Sequence, residues 1–321
     1  MRFLQLIETV FFIAILSLIA NAQTGGQPIK TQTFSVGAET DHVNVMGDAM
    51  PTMPAFPAIA KKAGYVRGYV KDSLGQPIAG AKLGLKSARF YDSYLAATTE
   101  SDASGYYEIK IPTGGARFDF AGFTIKYGRG MAALGLHPAD GDLNESYPAA
   151  SGAVENFVML PYGIGDVEGA SKSPRYRGNY YGGTMLIRYF IAPPGQDVAD
   201  FAGMLSPGSE VAIELNPVGV LADRGTFARG FQIRKRVENS SLGEFYICNV
   251  PVGRYDIVVR QANGKPLRMR QKNPTGSVYG IQPAETSGVA SLIFNPLSPD
   301  AKTATASRGN WTDLEIIVER P

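Results

Sequence analysis

Residues 65–87 read YVRGYVKDSLGQPIAGAKLGLKS, and residues 98–111 read TTESDASGYYEIKI. Polar and apolar side chains alternate over 65–71, with Val66 and Val70 on one face, which is the period of a half-buried strand. Residues 72–75 form a predicted turn, because Asp72 can bond nearby backbone and Gly75 accepts a positive φ. Strand patterns return at 78–85 and 105–111. This stretch therefore predicts short strands joined by turns.

Glycine, proline and aspartate stand at fixed spacings in the same stretch. The pattern is Gly68-x-Val70-x-Asp72-x-x-Gly75-x-Pro77-x-x-Gly80-Ala81, followed by Asp102-x-x-Gly105-Tyr106. It resembles the carboxypeptidase regulatory-like (transthyretin-like) family, a carbohydrate-binding-like β-sandwich fold whose relatives include the Cna-B repeats of surface adhesins. The resemblance implies an accessory, non-catalytic module. The zinc peptidase domain that accompanies the module in that family has no counterpart in this sequence.

The second half of the chain repeats these strands. Residues 186–192 (LIRYFIA) match 65–71, and 243–251 (GEFYICNVP) match 105–112 with one extra residue, which predicts a β-bulge near Cys248. The signature turn of the first copy is missing from the second. We therefore predict an all-β chain of two tandem Ig-like, transthyretin-like sandwiches. Their predicted bounds are 64–163 and 183–321, with a linker at 164–182.

The N-terminus predicts export. Residues 1–22 have the form of a signal peptide, with Arg2, an apolar run over 10–20 and a small-x-small cleavage site at Ala20-Asn21-Ala22. The alternative is an uncleaved anchor, but the run is shorter than the ~20 residues that a span requires. We expect a secreted, periplasmic or cell-surface protein without a membrane span after cleavage. The 31 Lys and Arg balance 29 Asp and Glu, so no global field attracts nucleic acid.

Residues 23–63 form a predicted extended arm. Prolines at 51, 54 and 57 exclude a continuous helix or a central strand there. The sequence leaves three interpretations open. The arm could lie on the surface as a leader, residues 29–36 could add as a strand to a neighbouring sheet, or soft ligands could bind Cu(I). Those ligands would be Met46, Met50, Met53 and His42.

Groups that carry chemistry are few. The single cysteine, Cys248, excludes an internal disulfide and is interpreted as a buried structural thiol. The two histidines, His42 and His137, fall in predicted loops without a nucleophile motif. We predict no catalytic residue, no cofactor and no metal. A hydrolase with an unrecognised site, which would depend on His137, stays as an alternative.

Two further patterns were weighed as sites. Asp140-x-Asp142-x-Asn144 opens like a calcium loop, but Glu145 and Ser151 stand where Gly and Glu are needed, which favours a solvated turn. Cna-B relatives can join a first-strand lysine to a last-strand asparagine. In the first copy these would be Lys71 and Asn156. Lys71 lies on the face opposite Val66 and Val70, whereas that chemistry needs a buried lysine.

The remaining candidates are ligand contacts. Tyr176, Tyr180 and Tyr181 in the linker could stack on sugars, although tyrosines that simply pack on two joined domains are favoured. Arg268 and Arg270 belong to a basic insertion at 263–285 that could bind an anionic partner, with a solvated loop as the default. We predict a non-catalytic binding or structural module of the cell envelope or extracellular space. Its partner would be a protein or a polysaccharide; a carbohydrate-binding protein and a surface-assembly subunit are the alternatives, and the sequence does not define the oligomeric state.

Overall fold

The computed structural model describes residues 30–87, 95–142, 145–219, 221, 229–239, 242–274, 278–303 and 310–321. The predicted signal peptide and Asn144 lie outside these ranges. Strands dominate the described residues, which confirms the all-β prediction. The strands before residue 160 are β1 Lys30–Val36, β2 His42–Asn44, β3 Tyr65–Asp72, β4 Lys82–Ser87, β5 Leu95–Glu100, β6 Tyr106–Lys110, β7 Gly115–Tyr127, β8 Gly130–Gly135, β9 His137–Pro138, β10 Tyr147–Pro148, β11 Ala153–Val154 and β12 Phe157–Met159.

The later elements begin with a short helix, α1 Val167–Lys172. Short 3₁₀ helices occur at Arg177–Asn179, Val198–Asp200 and Ala301–Thr303. No helix in the described ranges is long and apolar enough to cross a bilayer. The later strands are β13 Gly183–Phe190, β14 Glu210–Val218, β15 Arg229–Arg236, β16 Leu242–Val250, β17 Arg254–Gln261, β18 Arg268–Gln271, β19 Gly280–Gln282, β20 Glu285–Thr286, β21 Ala290–Ile293 and β22 Leu314–Glu319.

The strands form two pairs of sheets. In the first pair, one sheet has the order β10-β7-β4-β5 with β8 also on β7, and the other has β11-β3-β12-β9 with β6 also on β3. In the second pair the orders are β1-β15-β14-β17-β21-β19 and β2-β16-β13-β22-β18-β20. β3 is antiparallel to β6 and parallel to β12, and β13 is likewise antiparallel to β16 and parallel to β22. β3 and β13 therefore hold equivalent places. We call the two pairs the first and the second sandwich.

The alternation in the opening stretch places its side chains as expected. Val66 and Val70 are fully buried. The Asp72 carboxylate accepts hydrogen bonds from the backbone N–H groups of Leu74 and Gln76, at 3.0 and 2.8 Å, and Gly75 has a φ of 84°. Aromatic rings pack between the two sheets of the first sandwich, since the centroids of Phe118 on β7 and Phe157 on β12 are 4.9 Å apart.

The predicted β-bulge is confirmed. Gly183 pairs with Val250, whereas Met185 pairs with Ile247, so β16 has one residue more than β13 across this step. Asn249 takes the extra place with a φ of 58°, a conformation that asparagine tolerates better than most residues. Its amide oxygen accepts from Gly163 N at 2.8 Å, which ties the end of the first copy to β16.

The arm adds strands to sheets of its own chain. β1 pairs parallel with β15, and β2 pairs parallel with β16, so the arm extends both sheets of the second sandwich. This confirms the interpretation of residues 29–36 as an added strand for the described part, from Lys30. The methionines serve as packing rather than as a ligand set: Met46 is buried, and Met50 and Met53 pack against Val158, Leu160 and Tyr181.

Three loop predictions are wrong. His42 lies in β2 and His137 in β9, because both residues pair with neighbouring strands. The part of the basic insertion that carries Arg268 and Arg270 is not a solvated loop: Arg268–Gln271 forms β18, which pairs with β22 and β20. Sequence composition marked these segments as polar, but each completes the hydrogen bonding of a sheet.

Candidate functional site

A groove lies where the arm, the linker and the second sandwich meet. It has a volume of about 550 Å³. The linker lines it with residues 173–177, which directly follow α1. Asp41, just before β2, and Asp313, just before β22, line it as well. Glu244 and Tyr246 reach it from β16. We call this the linker groove.

Ion pairs organise the linker groove. Arg175 Nη1 lies 3.1 Å from Asp41 Oδ2, and Arg177 Nη1 lies 3.2 Å from Asp313 Oδ2. A hydrogen bond with His42, together with the charge of Arg175, lowers the pKa of Asp41 against the effect of burial. Burial raises the pKa of Asp313, and Arg177 opposes this shift. Asp313 Oδ1 is buried and has no hydrogen-bond partner among the described residues, which adds to the effect of burial on this carboxyl group.

Two tyrosine rings belong to the linker groove. Tyr176 is 57% exposed. Tyr246 is half-buried, and its ring centroid is 5.6 Å from the Arg175 guanidinium carbon. A cation held over an aromatic face orients both groups. Tyr246 is not among the predicted ligand contacts, although its place between the buried Phe245 and Ile247 puts it on the outer face of β16.

Two of the three linker tyrosines are packed, as the sequence favours, and only Tyr176 fits the alternative of a stacking platform. Tyr180 is 1% exposed and Tyr181 is 3% exposed. The Tyr180 hydroxyl donates to Pro174 O at 2.7 Å, and the Tyr181 carbonyl accepts from Trp311 Nε1 at 3.0 Å. The Tyr180 bond lies within the linker, and the Tyr181 bond ties the linker to Trp311, shortly before β22. Tyr176 alone of the three can meet a ligand.

The two predicted arginine contacts lie elsewhere and are paired. Arg268 Nη2 is 2.6 Å from Glu319 Oε2, and Arg270 Nη2 is 3.3 Å from Glu319 Oε1. Arg268 also lies 3.3 Å from Glu285. Both arginines stand on β18 and neither lines the linker groove. Carboxylates already neutralise this patch, which weakens it as an anion site.

The groups considered for catalysis are held in structural roles. His137 Nδ1 shares a hydrogen bond of 2.7 Å with the Tyr181 hydroxyl, and burial lowers its pKa to about 4. Cys248 is fully buried, and burial raises the pKa of its thiol to about 12. At neutral pH this histidine is uncharged and this cysteine is a thiol, which is a poor nucleophile.

The lysine and asparagine considered for a covalent cross-link bind other groups. Lys71 Nζ donates to Ala55 O at 2.7 Å and lies 5.3 Å from the Phe56 ring centroid. The Asn156 amide oxygen accepts from Tyr69 N at 2.9 Å. Lys71 therefore points towards the arm, away from the core, in agreement with the facing read from the sequence.

Three carboxylates meet beside β9. Asp140, Glu145 and Glu155 each offer an oxygen within 4.8 Å of the others. Asp140 and Asp142 are exposed, and Asp142 N donates to Asp140 Oδ1 at 2.9 Å, the geometry of the predicted solvated turn. Burial, and then the charge of Asp140, raise the pKa of Glu155 to about 9. Glu155 is therefore protonated at neutral pH.

Replacing Glu155 by glutamine is expected to stabilise the protein in a pH-dependent way. The folded pKa of about 9 lies above the ordinary value of 4.5, so the native state binds the extra proton and stability falls as pH rises from 4.5 to 9. Glu155→Gln removes this slope. Its gain in free energy of unfolding should be near zero at pH 4.5 and reach about 2–4 kcal/mol at pH 8. Urea unfolding at several pH values measures it.

A suitable control is Glu168→Gln, because Glu168 is exposed on α1. Its unfolding curves should follow those of the unchanged protein at every pH. If the free energies of unfolding of Glu155→Gln and the unchanged protein differed by a constant amount from pH 5 to 8, the raised pKa of Glu155 would be contradicted. Stabilisation by calcium that disappears in Glu155→Gln would instead support the calcium alternative.

A larger cleft of about 800 Å³ lies between β7 and the second sandwich. Phe123, Ile125 and Ile293 form much of its apolar wall, and Lys126 and Arg254 stand at its side. Its described lining has cations but no carboxylate. The linker groove offers donors, acceptors and two ring faces together, so we treat it as the candidate site.

Comparison with known proteins gives only distant likeness. No protein-family model matches the chain, and no curated protein matches it. Among solved structures, the chain is similar to the Bacillus anthracis TIE protein, with 9% identity over 80% of this chain and 34% of that chain, and a TM-score of 0.29. It is also similar to a Streptococcal ancillary pilin, with 13% identity, 80% and 62% coverage and a TM-score of 0.23.

A third similar structure is the shaft pilin from Lactobacillus rhamnosus GG, with 9% identity, 81% and 98% coverage and a TM-score of 0.18. The chain thus spans about a third of the length of the Bacillus anthracis protein and 62% of the ancillary pilin. All three of these structures have TM-scores of 0.29 or less.

Proposed function

We propose that this chain is an exported, non-catalytic binding module of the cell envelope or extracellular space. Two tandem transthyretin-like copies, at 64–163 and 183–321, would form its framework. The equivalent placing of β3 and β13 in their sheets supports the repeat. The burial of His137 and Cys248 supports a role without catalysis.

The linker groove supports a carbohydrate ligand best. The single observation that carries this proposal is the meeting of two ring faces with paired carboxylates and guanidinium groups. Tyr176 and Tyr246 can cover the apolar faces of sugar rings. Asp41 and Asp313 can accept, and Arg175 can donate, hydrogen bonds to hydroxyl groups. A polysaccharide of the cell surface fits this chemistry.

Binding to a glycan array, followed by polysaccharide pull-down, tests the proposal. Tyr176→Ala and Tyr246→Ala should each weaken binding about tenfold, which corresponds to about 1.4 kcal/mol. Phe190→Ala is the matched control, because Phe190 is an exposed aromatic residue on β13 that does not line the linker groove. It should bind as the unchanged protein does.

Two outcomes would overturn the carbohydrate proposal. Retention of a glycan with equal affinity after both tyrosine changes would move the site elsewhere. Capture of a protein partner, with no glycan bound, would leave the binding module but replace its ligand. Peptidase or glycosidase activity that His137→Gln abolishes would overturn the non-catalytic role itself.

A further inference from the structure

The arm adds an edge strand to each sheet of the second sandwich. β1 pairs with β15 over seven residues, from Lys30 opposite Arg229 to Val36 opposite Lys235. β2 pairs with β16 from His42 to Asn44. Both strands close an edge whose N–H and C=O groups would otherwise face solvent or a partner. The whole first sandwich lies between the arm and β13 in the sequence.

A buried lysine recognises the turn between β1 and β2. Lys235 is 0% exposed, and its Nζ donates to the carbonyl oxygens of Gly37, Ala38 and Thr40 at 2.8, 2.6 and 3.1 Å. Glu238 Oε1 lies 2.9 Å from the same nitrogen. An ammonium group has three hydrogens to donate, so the arm backbone supplies most of its acceptors. Without the arm, this cation would lose them.

Apolar side chains of the arm enter the core of the second sandwich. Val36 and Val45 are buried, and Met46 is buried next to them in the sequence. The arm therefore contributes an edge strand on each sheet, three core side chains and three acceptors. These are the parts of a strand–acceptor pair in which the backbone supplies affinity and the alternate side chains supply selectivity.

We propose that the edges of β15 and β16, with Lys235 between them, form a strand-acceptor site. The site binds residues 30–46 of its own chain in this structure, and it binds the same residues of a second copy when its own arm is displaced. The arm of a second copy is the expected occupant, because every copy carries the residues 30–46 that fit the site. In one chain the covalent link favours the internal arm through its high effective concentration.

The hinge for exchange lies directly after the arm strands. Gly47, Asp48 and Ala49 are exposed, and Gly47 has a φ of 55°. Beyond them, Met50 and Phe56 pack against residues next to β12 and in the linker, which anchors the chain on the first sandwich. Residues 30–46 can therefore leave while Met50 stays in place. When two copies exchange arms, only the path of about three hinge residues changes. Each acceptor site then makes the same contacts with the arm of the other copy.

The test begins with a folded protein in which a protease site has been inserted between Gly47 and Asp48. After cleavage, a fluorescent peptide of residues 30–46 is added. It should bind with one-to-one stoichiometry, displace the cleaved arm and keep the unfolding temperature of the uncleaved protein. A control peptide with Val36→Asp and Val45→Asp should not bind, because it would bury two carboxylates.

If cleavage releases the arm and the protein unfolds, the peptide should restore the fold. Failure of the peptide to bind folded cleaved protein, or to rescue unfolded cleaved protein, would overturn the proposal. A cleaved protein that loses its arm fragment without loss of stability would overturn it too. None of these results depends on sugar binding, which Tyr176→Ala reports separately.

Exchange between copies has its own test. Deleting residues 47–49 shortens the hinge, so the arm cannot reach its own acceptor while Met50 remains anchored. This variant should form dimers or longer assemblies in size-exclusion chromatography with light scattering, and adding the 30–46 peptide should convert them to monomers. A monomer that unfolds at the temperature of the unchanged protein would exclude exchange between copies.

Discussion

Replacing Lys235 by alanine is expected to lower the free energy of unfolding by about 3–5 kcal/mol, the usual cost of removing one partner from a buried charged pair. Lys235→Ala leaves the carbonyl groups of Gly37, Ala38 and Thr40 without their donor. It also leaves the Glu238 carboxylate with the Tyr189 hydroxyl at 2.7 Å but without its cation. Urea unfolding measures the loss.

Two comparisons separate the lost charge from the lost volume. Lys235→Met keeps most of the aliphatic side chain, so a loss close to that of alanine would assign the effect to the ammonium group. Lys265→Ala is the control for removing a lysine, because Lys265 is exposed in the turn after β17 and should change stability by less than about 0.5 kcal/mol.

The sign of the methionine change should reverse in protein without its arm. There the ammonium group has lost its three carbonyl acceptors, so Lys235→Met removes a poorly compensated buried charge and stabilises the fold. A double-mutant cycle between arm deletion and Lys235→Met therefore has a large coupling energy. Equal effects with and without the arm would show that water, rather than the arm backbone, solvates Lys235.

The sequence predicted the strands well because their signals are local. The alternation around Val66 and Val70, the turn at Asp72 and the extra residue near Cys248 each need only a few neighbours. A local alternation of the same kind also predicts the burial of Lys235. Phe231, Ile233 and Lys235 alternate on one face of β15, and all three are buried.

The linker groove was harder to predict because it is assembled from distant segments. Asp41, Tyr176 and Tyr246 come from the arm, the linker and β16, and no periodicity relates such positions. Tyr180 and Tyr181 show the converse difficulty. Their surroundings read as a polar linker, yet both are buried, and Tyr181 bonds to Trp311 of the second sandwich and to His137 of the first. The amino-acid composition of a segment does not predict which distant residues pack on it.

Tyr127→Ala is expected to uncouple the two sandwiches and to cost about 3–5 kcal/mol, as large-to-small changes of buried aromatic residues do. Tyr127 ends β7 and reaches into the second sandwich. Its hydroxyl donates to Gly253 O at 3.0 Å and accepts from Phe294 N at 3.2 Å. Its ring centroid is 5.2 Å from that of Trp311. The change leaves a cavity and two unpaired backbone groups at the junction.

The tip of the β7–β8 hairpin explains why the cavity cannot close by a small shift. A Cβ on Gly130 would lie 2.2 Å from the Tyr279 hydroxyl, and that hydroxyl donates to Met131 O at 2.8 Å. The hairpin is therefore already in close contact with the second sandwich beside Tyr127, whose ring stacks on that of Tyr279 with the centroids 6.3 Å apart. Partial relaxation leaves most of the cavity cost in place.

Trp311, the single tryptophan, reports directly on this junction. In the unchanged protein, its fluorescence and the far-ultraviolet circular dichroism should change in one transition as urea is raised. In Tyr127→Ala the fluorescence should change at lower urea than the circular dichroism, because the junction opens before the sheets unfold. Tyr127→Phe keeps the ring and should retain a single transition with a loss of about 1–2 kcal/mol. Coincident transitions in Tyr127→Ala would show that other contacts, such as that of the Tyr279 hydroxyl with Met131 O, keep the junction closed without Tyr127.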